Sequence, residues 1–228
     1  MRSARTTLAA ALFTLWCAPA AAQAPGDRPV HRVEVSVGAL WVAGGELGAG
    51  TAVLRANQVP QAPFTLFSVD TRVTSSPGFD GRIGFWLTRS LVVEGGFVYA
   101  QPSIRTRVSG DVEGAEAIDL EENLDQYFID ASASLLLDRL ALWAFVPFVQ
   151  AGGGYLRQLH EGRTLVESGQ VYHVGGGVRR WLRVRDGGFI HALGVRVDGR
   201  AYVLRNGFSI ADGPRSHGAI SGALFVTF

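Results

Sequence analysis

Lysine is missing from this 228-residue chain: every one of its 21 basic residues is arginine. Set against 20 acids these leave a net charge of +1, so there is no basic excess of the kind a nucleic-acid surface requires. Cysteine occurs once, as Cys17, in a stretch expected to be removed, which excludes disulfides and thiolate chemistry from the mature chain. A long apolar run is also missing. Beyond residue 22 no 18 consecutive residues are apolar, which excludes a transmembrane helix. Yet 47% of the residues are hydrophobic. A chain this apolar, without a membrane helix, buries its apolar faces in a β-sandwich or a membrane barrel.

What is present begins with Arg2 and Arg5, an apolar run from Leu8 to Ala18, and Ala20-Ala21-Ala22 before Gln23. This order reads as a secretory signal peptide cut after Ala22. The run is too short to span a bilayer as a helix, which takes about 20 residues. Trp16 stands before Cys17 where a lipidation signal wants a small residue, so lipidation is not expected. The organisation expected is a signal peptide at 1–22, a short segment at 23–30 and one domain at 31–228, a size suited to a single domain.

Strand periodicity recurs eight times. The segments are 32–42, 79–88, 91 to about 107, 126–137, 144–157, 171–183, 189–204 and a closing strand that ends on Phe228. The links between them alternate in length. Those at 43–78, 108–125, 158–170 and 205–216 are long; those at 89–90, 138–143 and 184–188 are short. Short periplasmic turns with longer extracellular loops are the habit of outer-membrane barrels. The closing strand carries Ile220, Leu224, Val226 and Phe228 on one face, the pattern of a C-terminal insertion signal, and a small, weakly polar face broken by Phe225. Trp41, Phe79, Tyr99, Tyr127, Tyr155, Tyr172 and Phe228 stand where interfacial girdles form. The expected fold is all-β: an eight-stranded antiparallel up-and-down transmembrane β-barrel, both termini periplasmic. Closure follows because an open sheet edge in lipid leaves backbone groups unsatisfied, each at several kcal/mol.

The terminal Phe, the run Val-Pro-Phe-Val-Gln-Ala-Gly-Gly-Gly-Tyr at 146–155 and Val-Gly-Gly-Gly-Val at 174–178 resemble the outer membrane protein β-barrel domain family, small barrels akin to that of outer membrane protein A. The resemblance spans residues 31–228. It implies a fold and an outer-membrane location, and no particular chemistry. The partners that go with this location are outer-membrane lipids and lipopolysaccharide, with the barrel assembly machinery reading the last strand. The glycine runs are not phosphate loops, since they lie inside strands and open no helix. They make room for bulky neighbours.

An eight-stranded barrel has an interior that side chains fill, or that holds one small ligand. The inward set is Glu34, Asp80, Arg82, Glu94, Asp130, His173, Arg179, Arg196, Asp198 and Arg200. Buried charges need partners, so the expectation is an ion-pair network that plugs the lumen, with Glu94 and Arg196 or Arg200 in one cluster. A gated solute path is the alternative; an open pore belongs to barrels of 16–18 strands. Residues 111–125 hold seven acids and are expected to be a solvated loop. His160, Glu161, Arg163, Glu167 and Ser168 supply the residue types of a nucleophile–base set without a diagnostic spacing, and His31, His191 and His217 show no partner pattern. No zinc or calcium spacing occurs. No cofactor, metal or catalysis is expected. Two other readings stay open: an outer-leaflet enzyme acting on lipid A, and a soluble lipocalin-like binder of a small apolar ligand.

Overall fold

The computed structural model describes residues 33–54, 64–160, 166–185, 188–205 and 215–228. The expected signal peptide, the segment 23–30, and His31, Glu161 and Arg163 lie outside the described residues. Among the described residues eleven strands occur in the order β1 (Val33–Val42), β2 (Gly45–Leu54), β3 (Phe64–Val73), β4 (Ser76–Trp86), β5 (Leu91–Ala100), β6 (Ser103–Ser109), β7 (Ile118–Leu136), β8 (Phe145–His160), β9 (Val166–Val184), β10 (Ala192–Arg205) and β11 (Arg215–Thr227). Eight of them close a ring in the order β1, β4, β5, β7, β8, β9, β10, β11, every neighbouring pair antiparallel. The chain is therefore an all-β, eight-stranded, closed antiparallel barrel.

β11 closes the ring against β1, from Glu34 opposite Thr227 to Val42 opposite Ala219. The Phe228 amide adds a bond to the Val33 carbonyl, 2.9 Å. The phenyl ring of Phe228 packs on Phe189, centroids 4.8 Å apart, at the end of the barrel that holds the short turns. Ile220 and Leu224 point outward and are exposed, while Phe225 is fully buried inside. Two short turns at this end are tied by Ser90 Oγ donating to Asp138 Oδ2, 3.0 Å.

The other end departs from the expected loops. Much of 43–78 and 108–125 is strand. β2, β3, β6 and the first residues of β7 continue the wall of the first four barrel strands as a four-stranded sheet, paired β2–β3–β6–β7. The third expected strand breaks at Gln101-Pro102, where proline has no amide hydrogen to donate. The pairing is rejoined by Ser103, whose amide donates to Thr74 Oγ1, 2.9 Å, and whose carbonyl accepts from the Thr74 amide, 2.8 Å. Above Leu124 opposite His160, β7 pairs with β6 alone among the described residues. The extension is thus a half-sleeve standing on one side of the mouth.

Face chemistry reverses between the two parts. Along the barrel the outward positions are apolar: Val35, Val37 and Trp41 on β1, Ile83 and Phe85 on β4, Val197 and Val203 on β10 are all exposed. On β10 the outward stretch from Leu193 to Val203 carries no charge and is bounded by Arg205. At ~3.3 Å per residue and a tilt near 40°, this band is about 25 Å tall, the height of a lipid-facing belt. In the extension the outward row is instead Glu46, Arg72, Arg105 and Glu121, followed by Asp70, Arg107 and Asp119. The inward face there holds Leu47, Val73, Ile104 and Leu124, which pack together.

Candidate functional site

The barrel interior is filled in three layers. Next to the short turns lie Val92, Leu136, Val146 and Phe148, flanked by Trp86, Ala141 and Trp181. Nearest the mouth lie Leu40, Val42, Val98, Phe128, Leu156, Val171, Tyr202 and Leu204. Gln126 and Gln158 border a small cavity there of about 20 Å³, room for one water and little more.

Between the apolar layers the charges form one alternating chain. It starts at Glu34, which accepts from Arg179 Nη1 at 2.9 Å; Arg179 Nη2 reaches Glu94 at 3.1 Å. Glu94 also accepts from Arg196 Nη1 at 2.6 Å, and Arg196 Nε reaches Asp198 at 3.3 Å. Asp198 accepts from Arg200 Nε at 2.6 Å, and Arg200 Nη2 reaches Asp80 at 2.5 Å. Asp80 accepts from Arg82 Nε at 3.2 Å, and Arg82 Nη2 reaches Asp130 at 3.4 Å. Acid and base alternate through nine residues, with a carboxylate at each end. His173 Nε2 stands 3.7 Å from the terminal carboxylate of Asp130.

Neutral side chains satisfy much of what the ion pairs leave over, though Arg179 Nε has no hydrogen-bond partner among the described residues. Ser134 Oγ donates to Glu94 at 2.8 Å, and Ser221 Oγ donates to Asp198 at 3.0 Å. Gln150 donates to Asp198 at 3.0 Å and accepts from Arg196 at 3.3 Å. Ser132 Oγ accepts from Arg82 at 3.2 Å. Gln150 lies on β8 and Ser221 on β11; the charged residues lie on β1, β4, β5, β7, β9 and β10. Each of the eight wall strands therefore contributes at least one member. A buried charge is tolerated only when its partners and remaining hydrogen-bonding capacity are met, and here that condition links every strand to others across the lumen.

Arg179 has a second environment. Its guanidinium carbon lies 5.1 Å from the Phe148 ring, 5.6 Å from Phe225 and 5.9 Å from Trp86. Three ring faces round a desolvated guanidinium add cation–π attraction, each worth about 1–2 kcal/mol when dry. Phe225, which interrupts the small face of the last strand, is one of these rings. Alternation places it inward; what it meets there depends on Arg179 and Trp181, and no local pattern reports that.

Glu94 faces two guanidiniums and a hydroxyl. Glu94→Gln is expected to destabilise the barrel by about 3 kcal/mol, because it strands a share of two buried positive charges. A urea titration of the refolded protein in lipid vesicles reads this directly; an unchanged midpoint would show that the cluster contributes nothing.

Of the residues of the nucleophile–base reading, only Glu167 and Ser168 have described side chains. Glu167 and Ser168 are consecutive on β9 and so point to opposite faces, with Ser168 exposed opposite Arg157. His217 borders the mouth cavity, and His191 lies at the short-turn end, its amide bonded to the Thr227 carbonyl at 2.9 Å. Among the described residues no three His, Cys, Asp or Glu side chains are grouped to hold a metal. The acids of 111–125 are split: Asp119, Glu121, Glu122 and Asp125 sit on β7, Asp111, Glu113 and Glu116 before it. Arg105 pairs with Glu121 at 3.2 Å.

Comparison with known proteins finds no matching family model and no matching curated protein. Two solved structures are similar in outline. The outer membrane protein OprG from Pseudomonas aeruginosa aligns over 87% of this chain and 94% of its own, with 11% identity and a TM-score of 0.44. The outer membrane protease OmpT from Escherichia coli aligns over 90% of this chain and 100% of its own, with 10% identity and a TM-score of 0.39.

Proposed function

We propose that this chain is an integral protein of the bacterial outer membrane, delivered by its signal peptide and inserted through its last strand. The barrel crosses the membrane with both termini on the periplasmic side. The lumen is plugged by the alternating charge chain, and the half-sleeve outside serves a structural or surface-interaction role. One observation carries this reading: the wall is apolar outside and charged inside, and the pattern reverses in the extension. A soluble sandwich or lipocalin-like binder has its apolar faces inward. A wall that shows Val, Ile, Phe and Trp outward along about 25 Å while burying nine charges is soluble only in lipid. The partners of this reading are outer-membrane lipids and lipopolysaccharide around the wall, and the assembly machinery at β11. No catalysis is proposed.

Fractionation and gel mobility test it. The folded protein is expected in the outer-membrane fraction, and unheated samples are expected to migrate differently from boiled ones. Recovery in the soluble periplasm would overturn the reading. Lipid A from cells with and without the gene is expected to have identical masses; a changed acyl or phosphate pattern would replace the structural role with an enzymatic one.

A further inference from the structure

We infer that Arg180 and Arg183, on the outer face of β9 beside the short turns, form a binding site for the headgroup phosphate of an anionic phospholipid in the periplasmic leaflet. The inference rests on the membrane reading above. Arg180 stands between Phe145 of β8 and Val195 of β10, and Arg183 stands opposite Leu193, so neither has an acid in register on an adjoining strand. Three residues apart, the two would lie on opposite faces of a regular strand. The register shift beside Leu193 and Gly194 leaves Leu182 out of the β9–β10 ladder and turns Arg183 back outward. Among the described residues neither arginine has an ion pair. The Arg180 guanidinium lies 5.3 Å from the centre of the Phe145 ring, and its Nε is buried without a hydrogen-bond partner among those residues. Arg89, Arg139 and Arg185 stand at the same end, where Asp138 is the only side-chain acid outside the lumen among the described residues. Asp186 of the neighbouring turn and the carboxylate of Phe228 reduce this positive excess without cancelling it.

The height of the pair selects the partner. On β8 the outward row runs from Phe145 to Tyr155 without a charge. At ~3.3 Å per residue and ~40° of tilt that row is about 25 Å tall, the span of the hydrocarbon. Arg180, in register with Phe145, therefore sits at the hydrocarbon edge, and Arg183 about 8 Å beyond it. The polar zone of a leaflet begins at that edge and is about 6 Å deep. The two arginines bracket the phosphate layer, and their long stems let the charged heads meet in it. The turn that leads into Phe145 carries Trp143, 95% exposed and at φ 58°. A bulky residue is uncommon in that left-handed region; here it holds an indole outward, where a membrane interface favours tryptophan. Guanidinium forks suit phosphate oxygens in a bidentate manner. The positive excess favours a headgroup with no cation of its own, phosphatidylglycerol over phosphatidylcholine.

The test uses the whole barrel refolded into vesicles of phosphatidylglycerol and phosphatidylcholine in equal amounts, then released in mild detergent so that native mass spectrometry counts the lipids it retains. Phosphatidylglycerol is expected to be retained about tenfold over phosphatidylcholine, the worth of one charge-assisted contact. Arg180→Gln combined with Arg183→Gln is expected to bring the two lipids to near-equal retention while keeping the folded gel mobility. Arg205→Gln, at the far end of β10, is expected to leave the tenfold preference in place. Equal retention of the two lipids by the wild-type barrel, an unchanged preference in the double variant, or its loss in Arg205→Gln would overturn the site and leave the membrane reading standing. A barrel that enters no vesicle at all would overturn both.

Discussion

Arg179→Ala should lower the folding stability of the barrel by about 3–5 kcal/mol, the cost of leaving buried charge without its partner. Among the described residues Arg179 is the only guanidinium bonded to Glu34, through two hydrogen bonds of 2.9 Å. Without it Glu34 stays buried with no cation bonded to it, and Glu94 keeps Arg196 as its bonded guanidinium. The space the guanidinium held between Phe148, Phe225 and Trp86 also empties. That region lies toward the short turns, where the lower apolar layer closes the lumen, so intermittent conductance in planar bilayers should accompany the loss of stability. A paired variant separates charge from packing. Arg179→Met with Glu34→Gln leaves no unpaired charge at that end and fills the volume, and replacement of a whole buried pair by well-packed side chains is often close to neutral. The double variant should therefore recover most of the stability that Arg179→Ala loses. Both are read from urea midpoints in vesicles. If Arg179→Ala unfolds at the wild-type midpoint, the chain of ion pairs is not what holds the strands in place.

The parts of this architecture differ in how far the sequence shows them. On β10 the alternation is strict, Arg196, Asp198 and Arg200 against Val195, Val197 and Gly199, and parity alone puts the charges on one face. Parity says nothing of partners. Arg179 and Glu34 are 145 residues apart and Arg200 and Asp80 are 120 apart, and which acid meets which base depends on strand tilt and barrel radius. The half-sleeve is less legible in the sequence for local reasons. β2 is rich in glycine, and its register slips between Glu46 and Gly48 and again between Ala52 and Val53, which breaks the period of two. On β7, Asp119 and Glu121 face outward, but Glu122 falls on the other parity, so the acids mask the alternation of Ile118 and Leu120. β6, with Ile104, Thr106 and Val108 against Arg105 and Arg107, does alternate. Its faces carry the reverse of the barrel's chemistry, a cue that acquires meaning only once the wall below is known.

Gly154→Val is expected to prevent the barrel from closing, whereas Gly95→Val should be tolerated. Both glycines lie in wall strands, and the sequence does not distinguish them. Gly154 is on the inward face of β8, in register with Asp130 of β7. A side chain there would begin 2.6 Å from the Asp130 Cα and closer still to the Ile129 carbonyl oxygen. Those are backbone atoms of the adjoining strand, which cannot step aside without breaking the β7–β8 ladder. The neighbouring acid is also the end of the charge chain, so displacing β7 would draw Asp130 away from Arg82. Gly95 faces outward on β5 with nothing within 4 Å of the added carbon. Valine there gains a β-branched side chain on a pleated surface and shows more apolar area to lipid. Refolding into vesicles followed by unheated gel electrophoresis should give the compact band for Gly95→Val and only the unfolded band for Gly154→Val. A compact band for both would mean that the glycine runs at 152–154 and 175–177 do not set the close approach of the strands. The filled lumen would then owe its dimensions to the ion pairs alone.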